Sequence, residues 1–357
     1  MALHFHKLTV KDIRKETKEC VSISFNIPDN AKQDFLFKQG QNITLRRFVD
    51  GEEIRRSYSI CSSPAEQELR IAVKKVPGGF FSSYANDELK LGDQLEVMAP
   101  SGSFYTEVRA GQKKNYIFFV AGSGITPVIS IIKTVLLIEK ESTVTLIYGN
   151  KNSASIIFKE QLSDLKDKYL ERLSLYFIFS RELTDAAINH GHIDEEKCTQ
   201  FSTFIDFRLM DEFFICGPEQ MIFVIKNFLE KNGIAKEKIH FELFTTPLRK
   251  TMAKIFSAKE KNNEGCDVTV TADGRSFNFK LDYDSNVILD AALAQGADLP
   301  FSCKGGVCCT CKAKLIEGEV EMETNYGLEP DEVKAGFILT CQSHPLTKKV
   351  VVDFDIK

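Results

Sequence analysis

Four cysteines toward the C-terminal end constrain this chain more than any other feature: Cys303, Cys308, Cys311 and Cys341. They are spaced C-x4-C-x2-C, with 29 residues between the third cysteine and the fourth. Two tetrahedral irons bridged by sulfides need four thiolates, three from one tight loop and one from a distant element. The loop contains Gly305 and Gly306, whose freedom lets backbone N–H groups turn inward toward the sulfurs. The spacing therefore points to a [2Fe–2S] centre. A structural zinc site would pair two C-x2–4-C knuckles, whereas the distal side here offers only Cys341, and a half-site with His344 would leave Cys303 or Cys308 idle. A disulfide framework does not suit a chain of 357 residues with no secretory signal. Cys309 is out of register with the pattern and reads as a small apolar thiol.

With 357 residues, 43% of them hydrophobic, the chain can build two or three domains with cores of their own. No run of 18 apolar residues occurs, so no membrane span is expected. The polar, mixed-charge start lacks the apolar stretch of a signal peptide, and ten cysteines suit a reducing compartment. A cytoplasmic location is the expectation. The net charge of −4 leaves no basic footprint for nucleic acid. Residues 267–357 carry 9 Lys and Arg against 15 Asp and Glu, and the preceding residues 37 against 35. The alternating Glu317, Glu319, Glu321 and Glu323 fit the solvent face of an extended edge. They read either as an ordinary solvated face or as a docking surface for an electron partner.

Three blocks follow one another. In residues 1–110, short alternating runs (Lys7–Val10, Val21–Phe25, Leu69–Val73) are punctuated by Pro28-Asp29, Pro77-Gly78-Gly79 and Gly92-Asp93, the pattern of a small antiparallel β-barrel. In residues 111–246, continuous apolar strands alternate with helical stretches. The strands are Tyr116–Val120, Val144–Tyr148, Leu173–Phe179 and Glu212–Cys216; the helices begin near Pro127 and cover 158–169. This predicts an α/β doubly wound parallel sheet. Residues 247–266 are basic, lose periodicity and read as a linker, with room for a short helix through Met252 and Phe256. Residues 267–357 predict a hairpin (Val268–Val270, Ser276–Phe279), a helix over 287–295, the cysteine loop and a closing strand over 350–354.

Arg56-Ser57-Tyr58-Ser59 is placed at the end of the second or third barrel strand, and Lys74 through Gly78, Gly79, Phe80 and Ser82 follows a later one. Together they suit a flavin. An arginine offers a bidentate donor to phosphate, a tyrosine face can stack on the ring, and a serine can reach a ring nitrogen. Gly78 and Gly79 admit a pyrophosphate close to the backbone, with a helix N-terminus beginning near Ser82. Each motif alone also reads as a turn arginine and a core tyrosine. Gly122-Ser123-Gly124-Ile125-Thr126-Pro127 follows the first buried strand and opens a helix, as a phosphate-cradling turn does; Pro127 stands where a dinucleotide fingerprint has its third glycine. Cys216-Gly217-Pro218 follows the fourth strand, either edging a nicotinamide or making a tight strand-to-helix turn. No histidine is placed to activate Cys216 as a nucleophile.

These motifs, in this order and over essentially the whole chain, resemble the ferredoxin–NADP reductase superfamily fused to a plant-type ferredoxin. The likeness is to reductase components of di-iron oxygenases. It rests on Arg55–Ser62, on Cys303–Cys311, and on Asn325–Pro330 with Leu339–Pro345. The resemblance implies a multi-domain protein: an antiparallel β-barrel flavin domain, an α/β nucleotide domain and an α+β (β-grasp) ferredoxin domain. It implies that Arg56 and Ser57 hold flavin phosphate, Tyr58 stacks on the ring, Ser59 bonds near N5, and Lys74, Gly78, Gly79, Phe80 and Ser82 line the pyrophosphate. Gly122, Gly124, Thr126 and Pro127 would cradle the nicotinamide nucleotide, with Cys216, Gly217 and Pro218 along the hydride path. Ser59 and Cys216 are thus the catalytic candidates. Ser180-Arg181 resembles the pair that holds a 2′-phosphate, which favours NADPH. FAD is the expected flavin, FMN remaining open.

Such a chain would take hydride from NADPH and hand on single electrons through the [2Fe–2S] cluster to a separate oxygenase component. Another acceptor (a ring-hydroxylating dioxygenase, a desaturase or a hybrid-cluster protein) stays open, as does a redox-sensing module without turnover.

Overall fold

The computed structural model describes residues 4–49, 51–244, 265–283 and 286–356. The linker reading of 247–266, with its helix through Met252 and Phe256, lies outside the described residues except for Gly265 and Cys266, and Cys266 already opens a strand.

The first domain is a six-stranded antiparallel sheet. Its strands are β1 (Phe5–Thr17), β2 (Cys20–Asn26), β3 (Asn42–Val49), β4 (Glu52–Ser59), β5 (Leu69–Lys74) and β6 (Gln94–Met98), ordered β4-β3-β6-β1-β2-β5. The two edge strands are drawn together where an Ile60–Ile71 bridge and the Cys61 N–H to Arg70 carbonyl bond (2.8 Å) link the end of β4 to β5. Closing the edges this way buries Ile23, Ile43, Leu45, Ile60, Ile71 and Val97 completely. Arg56-Ser57-Tyr58-Ser59 therefore ends the fourth strand, not the second or third. Three strands precede it, the first of them, β1, running 13 residues and pairing on both sides. Helix α1 (Phe80–Asp87) follows β5.

The second domain is a five-stranded parallel sheet. It comprises β7 (Asn115–Ala121), β8 (Thr143–Asn150), β9 (Leu173–Phe179), β10 (Glu212–Gly217) and β11 (Ile239–Leu243), ordered β11-β10-β7-β8-β9. Helices α2 (Ile125–Ile138), α3 (Lys159–Lys168), α4 (Glu195–Ser202) and α5 (Glu219–Lys231) pack on its faces. Ile117, Phe118, Phe119 and Val120 are all fully buried, as a strand covered on both faces requires. The chain winds outward from β7 through β8 to β9, then returns to β10 and β11 on the other side. The switch point, where open α/β sheets bind ligands, thus lies between β7 and β10.

The third domain has β12 (Cys266–Ala272), β13 (Arg275–Leu281), α6 (Ile288–Ala294), β14 (Lys312–Glu317), β15 (Val320–Met322), α7 (Pro330–Lys334), β16 (Phe337–Leu339), β17 (Ser343–Pro345) and β18 (Lys349–Asp353). Its main sheet is ordered β13-β12-β18-β14-β16, with β12 and β18 parallel, and β15 pairs β17 separately. The four glutamates from 317 to 323 do not share one strand. Gly318 (φ +90°) breaks the run between β14 and β15; all four are exposed, and Glu317 pairs with Lys349 while Glu323 pairs with His344, each at 2.7 Å.

Candidate functional site

Two clefts run together at the junction of the three domains. One, about 680 Å³, is walled by Arg56, Tyr58, Ser59, Gly79 and Ser82 from the barrel, Glu242 and Phe244 from the second domain, and Cys303 and Cys308 from the third. The other, about 790 Å³, lies over the switch point between Gly122-Ser123 and Gly217-Pro218, with Ser180 and Lys151 toward its far end. Lys74, Ser123 and Phe244 border both.

Strand alternation aims Arg56 and Tyr58 to one side of β4 and Arg55 and Ser57 to the other. Tyr58 rests against Phe81, centroids 5.4 Å apart, which leaves its ring in the cleft wall. Below it, Gly79 caps α1 with no side chain satisfying the first turn, so that turn's N–H groups stay open toward the cleft. The Ser82 hydroxyl holds the turn: it accepts from Val76 N–H (3.1 Å) and donates to the Gly79 carbonyl (3.2 Å). A Cβ on Gly79 would lie 2.4 Å from that hydroxyl. Phe80 is exposed at the rim. Backbone donors, an arginine and an aromatic face thus fit a flavin diphosphate and ring.

At the second cleft, Gly122 turns at φ +55°, and its carbonyl accepts from the Tyr148 hydroxyl at 2.8 Å. Gly124 does not face the cleft. It is buried where a Cβ would sit 2.2 Å from the Cys216 carbonyl oxygen, so its part is to let the β7 and β10 turns approach each other. Thr126 donates to the Ser123 carbonyl (3.0 Å) and borders the flavin-side cleft, and Pro127 is buried in α2. Ser180 lines the nucleotide-side cleft, while Arg181 is exposed beside it and absent from its wall.

Glu242, which the sequence reading missed, joins the two catalytic candidates. It pairs with Cys216 in the β10–β11 register, and the Ser59 hydroxyl donates to its Oε2 at 3.4 Å. Burial pushes the Glu242 carboxyl up to about 8, partly offset by that hydrogen bond. Cys216 is fully buried, its thiol held well above the usual range by burial and then by Glu242, which removes any nucleophilic role. The missed signal was Ile239-His240-Phe241-Glu242-Leu243: an alternating run after a helix, where a β-α-β repeat calls for one more strand.

The four cysteines form two pairs. Cys303 contacts Cys308, and Cys311 contacts Cys341, through their thiols; two pairs are what two tetrahedral irons require. Gly305 N–H donates to Cys303 Sγ (3.3 Å), Cys303 N–H to Cys308 Sγ (3.4 Å), and the Thr310 hydroxyl to Cys308 Sγ (3.2 Å). The Cys308 hydrogen bond, then the loop N–H groups, draw Cys303 down to about 6 against burial. In each pair one thiol, Cys303 or Cys341, is lowered by its partner, while Cys308 and Cys311 are held well above the usual range; the backbone and hydroxyl donors aimed at the sulfurs are what fit a [2Fe–2S] cluster. Lys304 and Gly306 adopt positive φ, and a Cβ on Gly306 would meet the Thr324 carbonyl oxygen at 2.6 Å. Gln342 ties the distant ligand to the loop through the Lys304 carbonyl (3.1 Å). Cys309 turns away, donating to the Gly327 carbonyl at 2.6 Å.

A barrel with a flavin-shaped cleft, a parallel sheet with an open switch point and a cysteine loop completed by the distant Cys341 define a three-domain flavin–iron–sulfur oxidoreductase. Family profiles match in the same order: oxidoreductase FAD-binding domain over residues 7–105, oxidoreductase NAD-binding domain over 118–227, and 2Fe-2S iron-sulfur cluster binding domain over 270–346. The chain belongs to the ferredoxin–NADP reductase-like family with a C-terminal 2Fe-2S domain, and it is an NAD(P)H oxidoreductase. It is 48% identical over 354 residues to a component of the 1,2-phenylacetyl-CoA epoxidase of Escherichia coli (strain K12), covering 99% of this chain and 98% of that one. It is 32% identical to the ferredoxin reductase component of 3-ketosteroid-9-alpha-monooxygenase from Rhodococcus rhodochrous, over 97% and 96% of the two chains. The solved structure of phthalate dioxygenase reductase shares the fold: TM-score 0.58, 24% identity, 98% of each chain. No helix among the described residues is long and apolar enough to cross a membrane.

Proposed function

We propose that this chain is the NADPH-dependent reductase component that supplies electrons, through FAD and its [2Fe–2S] cluster, to a separate di-iron oxygenase acting on phenylacetyl-CoA. The observation that carries the electron path is the continuity of the clefts, with Cys303 and Cys308 in the wall that Tyr58 also forms. The acceptor rests on the 48% identity to the epoxidase component. A flavin bound beside Tyr58 supplies the chemistry of accepting two electrons as hydride and releasing them singly, as a one-electron cluster demands.

The protein's own groups orient and enclose. Gly122-Ser123 and Gly217-Pro218 hold the nucleotide at the switch point, and Lys74 places a cation where the two clefts meet. Ser59 and Glu242 supply a hydrogen-bonded pair at the flavin edge, with the proton residing on Glu242 at neutral pH. Ser180, with Lys151 in the same cleft wall and Arg181 beside it, supports a 2′-phosphate and hence NADPH. The open N-terminus of α1 and the match to an FAD-binding profile support FAD. The ten cysteines, none joined to another in a disulfide, support a cytoplasmic site of action.

The test is reconstitution. The purified reductase, NADPH and the di-iron epoxidase should turn over phenylacetyl-CoA, and omission of the reductase should abolish turnover. NADPH oxidation with no cytochrome c or ferricyanide reduction would sink the reductase reading. Reduction of these dyes without coupling to the epoxidase, together with co-purification of a different oxygenase, would move the acceptor elsewhere.

A further inference from the structure

We propose that Arg55 is the clamp that positions the cluster-bearing loop against the flavin cleft, so that it governs the internal one-electron transfer and not the acceptance of hydride. The inference rests on the flavin and cluster reading above. Arg55 is a barrel residue only 5% exposed, a costly place for a guanidinium unless its donors are used. They are used largely by the third domain. Its Nη1 donates to the carbonyls of Leu299 (3.2 Å) and Phe301 (3.5 Å), and its guanidinium lies 3.9 Å from the centre of the Phe301 ring. Glu53 on the same strand neutralises it, and Asp298 approaches at 3.9 Å.

Two residues along the same face of β4, the Ser57 hydroxyl donates to the Ser302 hydroxyl at 2.7 Å. Ser302 is the residue immediately before Cys303. The other face of β4 carries Arg56 and Tyr58. One strand therefore touches both partners of the electron transfer: Arg55 and Ser57 grip the segment leading into the cluster loop at the wall of the same cleft that Arg56, Tyr58 and Ser59 line. Two further contacts, Val307 and Tyr326 against the second domain's core, steady the loop from the far side, but neither involves a buried charge.

For each hydride taken from the nucleotide, two electrons cross singly to the cluster and one proton leaves to water. Arg55 changes neither count; it sets the separation at which the crossing occurs. Arg55→Ala, and independently Phe301→Ala on the opposite side of the contact, should slow cluster reduction about 10- to 100-fold, the scale of an ångström-sized misplacement. The readout is stopped-flow absorbance with NADPH, following flavin bleaching and cluster bleaching separately in the full chain. Flavin bleaching should stay within about twofold of wild type in Phe301→Ala, whose side chain is outside the cleft wall. Arg55→Lys, which keeps the charge but not the fork and ring contact, should fall between. Hydrogen exchange, which needs no turnover, should rise over 299–303 in both alanine variants and not over 56–59. Cluster reduction at the wild-type rate in Phe301→Ala and Arg55→Lys would overturn the inference even if Arg55→Ala does not fold. So would flavin and cluster bleaching slowed equally. A wild-type protein whose flavin NADPH does not bleach would instead refute the underlying electron-path reading.

Discussion

Gly124→Ala is the smallest change that separates a glycine lining a ligand from one that lets two turns meet. The added methyl would lie 2.2 Å from the Cys216 carbonyl oxygen, 2.6 Å from its carbonyl carbon and 3.1 Å from the Gly217 nitrogen. All three are backbone atoms, so no side chain can swing aside. Restoring an ordinary contact moves the β7 turn from the β10 turn by about 1 Å, at an overpacking cost of about 1–3 kcal/mol. The displaced turns are those that carry Gly122-Ser123 and Gly217-Pro218 on the nucleotide cleft, so kcat/KM for NADPH with ferricyanide should fall about 100-fold. Flavin and cluster absorbance should be retained, because their cradles lie elsewhere. Gly149→Ala is the control: its methyl would meet the end of the flexible Ile193 side chain at 3.3 Å and the Val120 carbonyl oxygen at an ordinary 3.6 Å, and kcat/KM should hold within about twofold. A Gly124→Ala protein with wild-type kcat/KM and melting temperature would refute the argument.

Further expectations concern charge and the cluster. Glu242 has a folded pKa of about 8, above its ordinary 4.5, so its contribution to stability is present in full below about 4.5 and is lost as pH rises through about 8. Glu242→Gln should therefore gain stability relative to wild type across that window in thermal melts, and any alkaline limb near pH 8 in the rate of flavin reduction should vanish; an unchanged pH profile would exclude Glu242 from it. Arg181→Ala should lower kcat/KM for NADPH about 10- to 100-fold, the worth of one charge-assisted hydrogen bond, while leaving NADH unchanged; equal losses with both nucleotides would assign Arg181 a structural role. Gln342→Ala, which unties Cys341 from the loop, should release iron to a chelator about 10-fold more readily, with ferricyanide reduction intact.

The local chemistry of this protein is legible in its residues. Cysteine spacing names the cluster ligands because the loop that holds three of them is contiguous, and the pairs form as the register requires. Glycines at 122 and 306 mark turns because only glycine accepts their positive φ cheaply. The apolar runs at 116–120 and 173–179 give a parallel sheet because strands covered on both faces cannot alternate. Strand count was less legible: β1 pairs on two sides and β11 is five residues long, so neither shows a separate signal of length. Glu242 went unseen for the same reason, since a lone glutamate gains its meaning only from Ser59, which is 183 residues earlier.

The sequence by itself thus determined the domain types and their order and marked candidate residues for each carrier, because propensity, turn chemistry and ligand spacing act over a few residues. Only the tertiary structure decided that the carriers meet. It brought β7 and β10 together so that Gly124 abuts Cys216, it raised Glu242 by burying it, and it set the cysteine loop against the flavin strand through Arg55. Those are contacts across domains, and their energies come from desolvation and close packing between residues up to 246 positions apart, which no local pattern encodes.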